Sequence, residues 1–423
     1  IIDYCEKDTV LTGMLLEPVC NAIQTTFADR KLLHIAQQIL CRGLAKTYEA
    51  LIYKNGIPVD LKSYNKYKDN WAKVRWRFLI DKNKELNVYD DEGTFKQDKF
   101  QKLLESIGLI EIWPKTKTGK CSTAGEVLDQ FENFHPVIKN LRAVKKILES
   151  DRLQGFAVGS DGRSRGDHDF YKTITGRAAP SSTDADFKHE EPCIQAALSG
   201  DKNLLEAVKE DVYLYTANET GATHGVNDPD RLKKIRNQYK VAFLAMSYGM
   251  GYRSVAIQLG VTEPQAKEII SSIKTVYKAY YSWIWKTVQM FKIKGQMTTL
   301  HGWRRSCKGV QKINHRSLEN WPIQSHGAEI LYWTVINLVR SKFKICATVH
   351  DAVFVELDDD EKLKDRLKEL EAIMSRCTED IIGMPIKIDG IEKKKIIRGR
   401  WVQDDEQAKE LYDEIMKYIS EAA

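Results

Sequence analysis

Between Asp184 and Asp201 the sequence runs DADFKHEEPCIQAALSGD, crowding carboxylates, a lysine and a histidine ahead of an apolar run. Asp186 and Glu191 stand five residues apart, with Lys188 and His189 between them. Far downstream, Asp351 lies in ATVHDAVFVE, an aspartate at a tight turn between apolar β residues. A carboxylate there is costly unless water or a cation meets it. Alone, Asp351 reads either as a turn-capping residue or as a ligand, and Asp186 is similarly ambiguous. Together, two aspartates on neighbouring strands would form an all-oxygen site suited to Mg²⁺, which can hold phosphates and activate a hydroxyl.

A second constellation is RNQYKVAFLAMSYGMGYRSVAIQLG, where Arg236, Lys240, Leu244 and Tyr248 recur every four residues and share one helix face. Cations near the helix start can hold a triphosphate, leaving the next two side chains to meet a sugar and a base. The alternative is a solvated basic face. The apolar Leu244 and aromatic Tyr248, in line with the charges, tilt the reading toward a site.

The elements that must position these residues follow from periodicity. From Asp29 to about Ser150 the chain reads mostly as helices, with apolar residues three and four apart in LLHIAQQILCRGLAKTYEALI and turn chemistry at KNGIPVD. The lysine-rich loop WPKTKTGKCSTAGEVLDQF, a candidate backbone clamp, leads into a helix with Ser122 or Thr123 as N-cap and Glu126 in a capping-box position. Helix patterns dominate again from Lys202 to Lys294. KICATVHDAVFVELD reads as two strands joined at His350-Asp351, and PIKIDGI with a final helix from about Asp405 completes an α+β region.

Composition bounds the answer. The chain has 423 residues, 43% hydrophobic and 29% charged, which fits two to four structural units and excludes disordered, collagen-like and membrane classes. A net charge of +6 suits a polyanionic partner, though enzymes of small molecules can be as basic. Eight cysteines with no CxxC pair argue against a zinc cluster or a disulfide framework and fit a reducing, cytoplasmic setting. No apolar run reaches the roughly 20 residues of a membrane helix, so no membrane partner is expected. Because the sequence opens at Ile1 in mid-pattern, the natural polypeptide is expected to extend further upstream.

Several motifs in fixed order resemble those of family A DNA polymerases, the bacterial DNA polymerase I type. KTKTGKCSTAGEVLDQF resembles the family's thumb motif, TITGR its primer-template contact and DFKHEEPCIQAALSGD its motif A. RNQYKVAFLAMSYG resembles motif B, NWPIQSHGAE the template-side helix and VHDA motif C. The DFKHEEP form, with GRAAPSS before it, is similar to phage or mobile-element branches.

The resemblance implies an α+β right-hand polymerase with an antiparallel palm sheet, helical thumb and helical fingers, preceded by the end of a 3′–5′ exonuclease domain. Residues 1–28 would be the exonuclease remnant, 29–150 mainly thumb and 151–204 the first part of the palm. Residues 205–297 would be fingers and 298–423 the second part of the palm. Asp186 and Asp351 would be the catalytic metal ligands for two Mg²⁺ ions, which Mn²⁺ could replace, with the Phe187 carbonyl as a further ligand. Glu191 would be the steric gate against a ribose 2′-hydroxyl. Arg236 and Lys240 would hold the triphosphate, with Leu244 and Tyr248 beyond them, Tyr248 stacking at the template-base position. Tyr213 stands where many members carry a phosphate-contacting histidine; His189 falls near the nucleotide. Arg177, Arg316, Asn320 and Gln324 would track the minor groove or template, His350 the primer terminus, and Lys117, Lys120 and Thr173 the DNA backbone. The partners implied are primer-template DNA and deoxynucleoside triphosphates, bound by a cytoplasmic monomer reading shape rather than sequence.

Three departures stand out. Ala352 replaces a second motif C carboxylate, so the metal site rests on Asp186 and Asp351. Leu244 replaces the usual aromatic residue of motif B. PSSTDAD precedes Asp186 where an apolar strand of about five or six residues belongs, which implies that a family segment before Asp186 is missing. At the N-terminus, Tyr4 and Asp8 lie one helical turn apart. They read either as a chance spacing on a surface helix or, by resemblance, as the Tyr-x-x-x-Asp motif of the exonuclease. Two rivals remain: a single-subunit RNA polymerase, disfavoured by Glu191 and KTKTGK, and an inactive nucleic-acid-binding relative, which would need no carboxylate pair.

Overall fold

The computed structural model describes residues 32–116, 118–132, 134–149, 157–165, 187, 189–307, 314–349, 351–388 and 413–420, with isolated positions 14, 18, 21, 173 and 175. Tyr4, Asp8, Lys117, Arg177, Asp186, Lys188 and His350 lie outside the described residues, as does the segment inferred to be missing before Asp186.

The first elements are α1 (Leu32–Asn55), β1 (Ile57–Pro58), α2 (Leu61–Leu86), α3 (Gln97–Ser106), α4 (Gly125–Phe131), α5 (Pro136–Glu149) and β2 (Arg163–Ser164). There follow α6 (Glu190–Ser199), α7 (Lys202–Ala207), α8 (Val212–Glu219), α9 (Pro229–Ser247), α10 (Tyr252–Leu259), α11 (Glu263–Val276) and α12 (Lys278–Lys294). The last are β3 (Gln296–Thr298), β4 (Arg304–Ser306), α13 (His315–Arg340), β5 (Lys344–Val349), β6 (Ala352–Glu356) and α14 (Leu363–Ile382). Among the described residues the strands form three two-stranded antiparallel pairs, β1–β2, β3–β4 and β5–β6. The molecule is helix-rich with small antiparallel sheets.

Two main cores organise these elements. The larger gathers α6, α8, α9, α13, β5, β6 and α14 around residues such as Ile194, Phe243, Ile330 and Val353. Ala45 and Ile52 place α1 in this core as well, and Asn55 Nδ2 donates to the Ile345 carbonyl at 2.8 Å. The second core is built from α2, α3, α4 and α5, and Tyr418 and Ile419 pack into it. Tyr418 Oη donates to Asp81 there at 2.7 Å.

The expected helices up to Ser150 are present, and so is the 344–358 hairpin, which closes with Val349 paired to Ala352. The expected capping box is not. Helix α4 starts at Gly125 after an Ala124 N-cap that makes no side-chain hydrogen bond. Ser122 lies too early, and its hydroxyl accepts from the Ala124 N–H within the loop at 3.3 Å. The lysine-rich loop is itself a tight turn, with Lys115 bridged to Cys121 and the Thr116 N–H donating to the Lys120 carbonyl at 2.8 Å.

Helix α13 is buried along most of its length, from Trp321 to Leu338. An all-round apolar helix belongs at the centre of a large core, so the one carboxylate there is costly. Glu329 Oε1 accepts from Thr299 Oγ1 at 2.8 Å, and from Arg42 Nη2 and the Trp303 N–H at 3.3 Å each. Its Oε2 is buried with no hydrogen-bond partner among the described residues. Burial pushes this carboxyl up from 4.5 to about 7, outweighing the Thr299 and Arg42 contacts that pull it down. A raised native value means that the folded state holds the proton more tightly than the unfolded chain. This group's stabilisation is therefore complete below about pH 4.5 and is lost as pH rises through 7. The loss is on the order of 3 kcal/mol. Glu329→Gln should flatten the pH dependence of denaturant unfolding between those values; a slope unchanged by the substitution would show that the carboxyl titrates as in the unfolded chain.

Candidate active site

Asp351 sits at the turn between β5 and β6, half-buried, directly before the fully packed Ala352 and Val353. Phe187, the residue after Asp186, is 2% exposed and bridges antiparallel to Ile388. Phe187 and Val353 belong to the same core. The two chain segments that carry the aspartates are thus anchored in one body.

Helix α9 begins cleanly: Asp228 caps it by accepting from the Asp230 N–H at 3.1 Å, and Pro229 occupies the first turn, where its missing N–H costs nothing. Tyr239, Ala242, Phe243 and Ala245 are buried. The stripe of Arg236, Lys240, Leu244 and Tyr248 is left on the open side, with Lys240 exposed and Tyr248 46% exposed. The helix ends at Ser247, and Tyr248 serves as its C-cap through a 3.0 Å bond from its N–H to the Leu244 carbonyl. Gly249 follows at φ 69°, where a Cβ would lie 2.9 Å from the Arg316 side chain. Glycine at this position lets the start of α13 close against the end of α9.

Glu191 joins three elements. Its Oε1 accepts from Tyr248 Oη at 2.8 Å and from Gln324 Nε2 at 2.5 Å, tying α6, the end of α9 and α13 together. Gln324 is buried, Asn320 half-buried and Arg316 exposed, successive residues along one face of α13. A single carboxylate oxygen therefore sets the positions of an aromatic ring and an amide that sequence reading treats separately.

Beside this cluster stands a residue that the sequence analysis missed. Asp211 caps α8, its Oδ1 accepting from the Tyr213 and Leu214 N–H groups at 3.1 and 2.9 Å, while its Oδ2 accepts from Arg236 Nε at 2.7 Å. Burial pushes its carboxyl up, but the Leu214 N–H and the Arg236 guanidinium outweigh burial and hold it below the usual range. Anchored through Nε, Arg236 has its position fixed from α8. The available signal was an aspartate just ahead of the apolar run VYLY, an N-cap pattern.

Tyr213 is 5% exposed and acts as a platform: Arg236 lies over its ring at 5.5 Å, and the His189 ring meets it edge-on at 5.2 Å. His189 is the N-cap of α6 in the left-handed region, φ 55° and ψ 44°, a strained conformation for a residue with a Cβ. The structure thus brings His189, Tyr213, Asp211 and Arg236 into one group. Lys120 and Thr173 are both exposed, and the Thr173 hydroxyl lies 2.9 Å from that of Thr175.

The sequence model of DNA polymerase family A matches residues 179–391, half of the chain and the segment that holds Glu191, Asp211, Arg236, Tyr248, Gln324 and Asp351. The chain belongs to DNA polymerase family A. It is similar to DNA polymerase I of Bacillus subtilis, 24% identical over 68% of this chain and 37% of the relative. It is 23% identical to DNA polymerase I of Geobacillus stearothermophilus over 92% of this chain and 48% of the relative, and 27% identical to that of Caldicellulosiruptor bescii over 68% and 38%. The chain spans less than half the length of these family A relatives. Among solved structures it resembles the polymerase domain of Pol1 from M. smegmatis in complex with DNA primer-template and dNTP, with a TM-score of 0.65 and 21% identity over 82% of this chain and 68% of that one. That likeness establishes the fold. Among the described residues no helix is long and apolar enough to cross a membrane.

Proposed function

We propose that this family A chain is a DNA-directed DNA polymerase that adds deoxynucleotides to a primer 3′-hydroxyl along a template, in replication or repair. In that reading the first core is palm and fingers, the second is thumb, and residues 1–28 end an exonuclease domain. The observation that carries the proposal is the junction at Glu191. The Glu191 carboxylate meets the Tyr248 hydroxyl and the Gln324 amide there, beside an open helix face bearing two cations, and this supports the reading.

The residues divide the work. Arg236 and Lys240 bind the triphosphate, with Arg236 oriented by Asp211 and supported by the Tyr213 ring. Glu191 closes the space beside the sugar, and Tyr248 meets the templating base. Arg316, Asn320 and Gln324 hold the template from α13. Asp351, at the β5–β6 turn, and Asp186 would supply hard oxygen ligands, a donor set that fits Mg²⁺ better than a thiophilic metal. Bound there, divalent cations would neutralise the charge developing on the attacking and leaving oxygens. Primer extension with deoxy- and ribonucleotides in Mg²⁺ tests the reading: template-dependent extension by deoxynucleotides is expected, and extension by ribonucleotides alone would overturn it.

Leu244 is half-buried on the open stripe, whereas Phe243 is 4% exposed and packs edge-on to Tyr213 and Tyr277. Leucine cannot replace the hydrogen bond that a nucleotide loses with its 3′-hydroxyl. Wild type should therefore reject dideoxynucleotides, and Leu244→Tyr should relieve that rejection by roughly 1–3 kcal/mol, about 5- to 150-fold. Chain-termination assays on Leu244→Tyr and Phe243→Tyr decide, since a response at Phe243 alone would assign the sugar contact to the wrong side of the helix.

A further inference from the structure

A cavity of about 320 Å³ lies where α1, α13 and α14 meet the β3–β4 turn. Pockets that enclose small organic molecules start at roughly 300 Å³. None of its lining residues belongs to the candidate active site. Tyr332, Trp333 and Ile381 give it aromatic and aliphatic wall, and Cys41 lines it from α1.

Its charge is out of balance. Glu329 and Asp380 line it against a single guanidinium, that of Arg42, in a chain whose net charge is +6. Arg42 is also committed elsewhere: its Nη1 donates to the Gln38 side chain at 2.9 Å, its guanidinium lies 5.2 Å from the Trp303 ring centroid, and its contact with Glu329 Oε1 is long, at 3.3 Å. Asp380 is fixed by Trp333 Nε1, which donates to its Oδ2 at 2.8 Å. Glu329 is 9% exposed, and its Oε2 has no hydrogen-bond partner among the described residues. A buried carboxyl left half-partnered is costly. Arg42 pulls it down, yet burial keeps it at about 7.

A planar amidinium would answer this deficit. Its two parallel N–H groups match a carboxylate, and a delocalised cation is more weakly hydrated than an ammonium and lies well on aromatic faces. A neutral or anionic molecule of the same shape would leave the charge uncompensated. We infer that this cavity binds a small planar organic cation of the aromatic amidinium class, its charge met by Glu329 and its ring packed against Tyr332 and Trp333. The inference does not depend on the polymerase reading.

Calorimetric titration of the whole chain with benzamidine, benzamide and benzoate, which share a ring and differ in charge, tests it. Benzamidine should bind once per chain, about tenfold or more tighter than benzamide, with benzoate the weakest. Because a cation favours the ionised carboxyl, benzamidine affinity should rise about tenfold from about pH 6 to about pH 8 as the Glu329 proton is lost. Glu329→Gln should remove both the preference over benzamide and that pH dependence. It leaves in place the other ionisable groups nearby, Cys41 and Arg42 on α1, His301 in the β3–β4 turn, His326 on α13 and Asp380 on α14. Cys41→Trp, which obstructs the cavity, should weaken benzamidine and benzamide alike. Cooperative thermal unfolding of each variant shows that it folds. No saturable binding by wild type, equal affinity for the three compounds, or benzamidine binding untouched by either substitution would overturn the inference.

Discussion

Alanine in place of Asp351 is expected to abolish primer extension while leaving primer-template affinity largely intact. The aspartate is half-buried at the turn of a hairpin whose register is fixed on both sides, Val349 to Ala352 at the turn and Thr348 to Val353 behind it. Removing the carboxylate deletes little packing, so the hairpin should persist and thermal unfolding should barely move. On the proposed function what is lost is a hard ligand, and charge stabilisation of several kcal/mol in the transition state corresponds to about a thousandfold or more in rate. Duplex binding draws instead on phosphate contacts from cations elsewhere and should keep its steep salt dependence. Asp186→Ala should behave in the same way. Near-normal turnover in either variant would refute the assignment of these carboxylates to the chemistry.

The sequence made the periodic features readable and left the junctions between them hidden. The four-residue recurrence from Arg236 to Tyr248 identified the open face of α9 because a helix repeats on that spacing whatever surrounds it. The burial of Phe243 beside the half-open Leu244 follows from the same geometry. The hairpin at Asp351 was legible from alternation and a turn. Glu191 meets Gln324 across 133 residues and Asp211 meets Arg236 across 25, and no local pattern records which faces will touch. The placement of α1 was hidden for that reason too: its apolar stripe was plain, but not that it would pack on the first core rather than the second. The capping box expected at Ser122 or Thr123 failed on register, with Ala124 as the N-cap, and side-chain chemistry alone does not set register.

The second large effect is expected at Glu191. It lies in the first turn of α6, where the helix dipole favours a carboxylate, and its Oε1 is held by Tyr248 Oη and Gln324 Nε2. A side chain fixed from two directions cannot swing aside, which is what a steric gate requires. Glu191→Ala should therefore admit a 2′-hydroxyl and lower the deoxy-over-ribonucleotide ratio of kcat/KM by roughly 10- to 200-fold, the range for a group that no longer fills a fitted pocket. The same variant should also lose deoxynucleotide activity, because Tyr248 and Gln324 each forfeit a hydrogen bond of about 1 kcal/mol. Two further variants separate the causes. Glu191→Gln keeps the bulk and should keep the discrimination, whereas Tyr248→Phe keeps the ring and removes one tether, so discrimination should fall less than in Glu191→Ala. If the ratio in Glu191→Ala equalled that of wild type, the space beside the sugar would be closed by another residue, and the junction at Glu191 would serve only to position Tyr248 and Gln324.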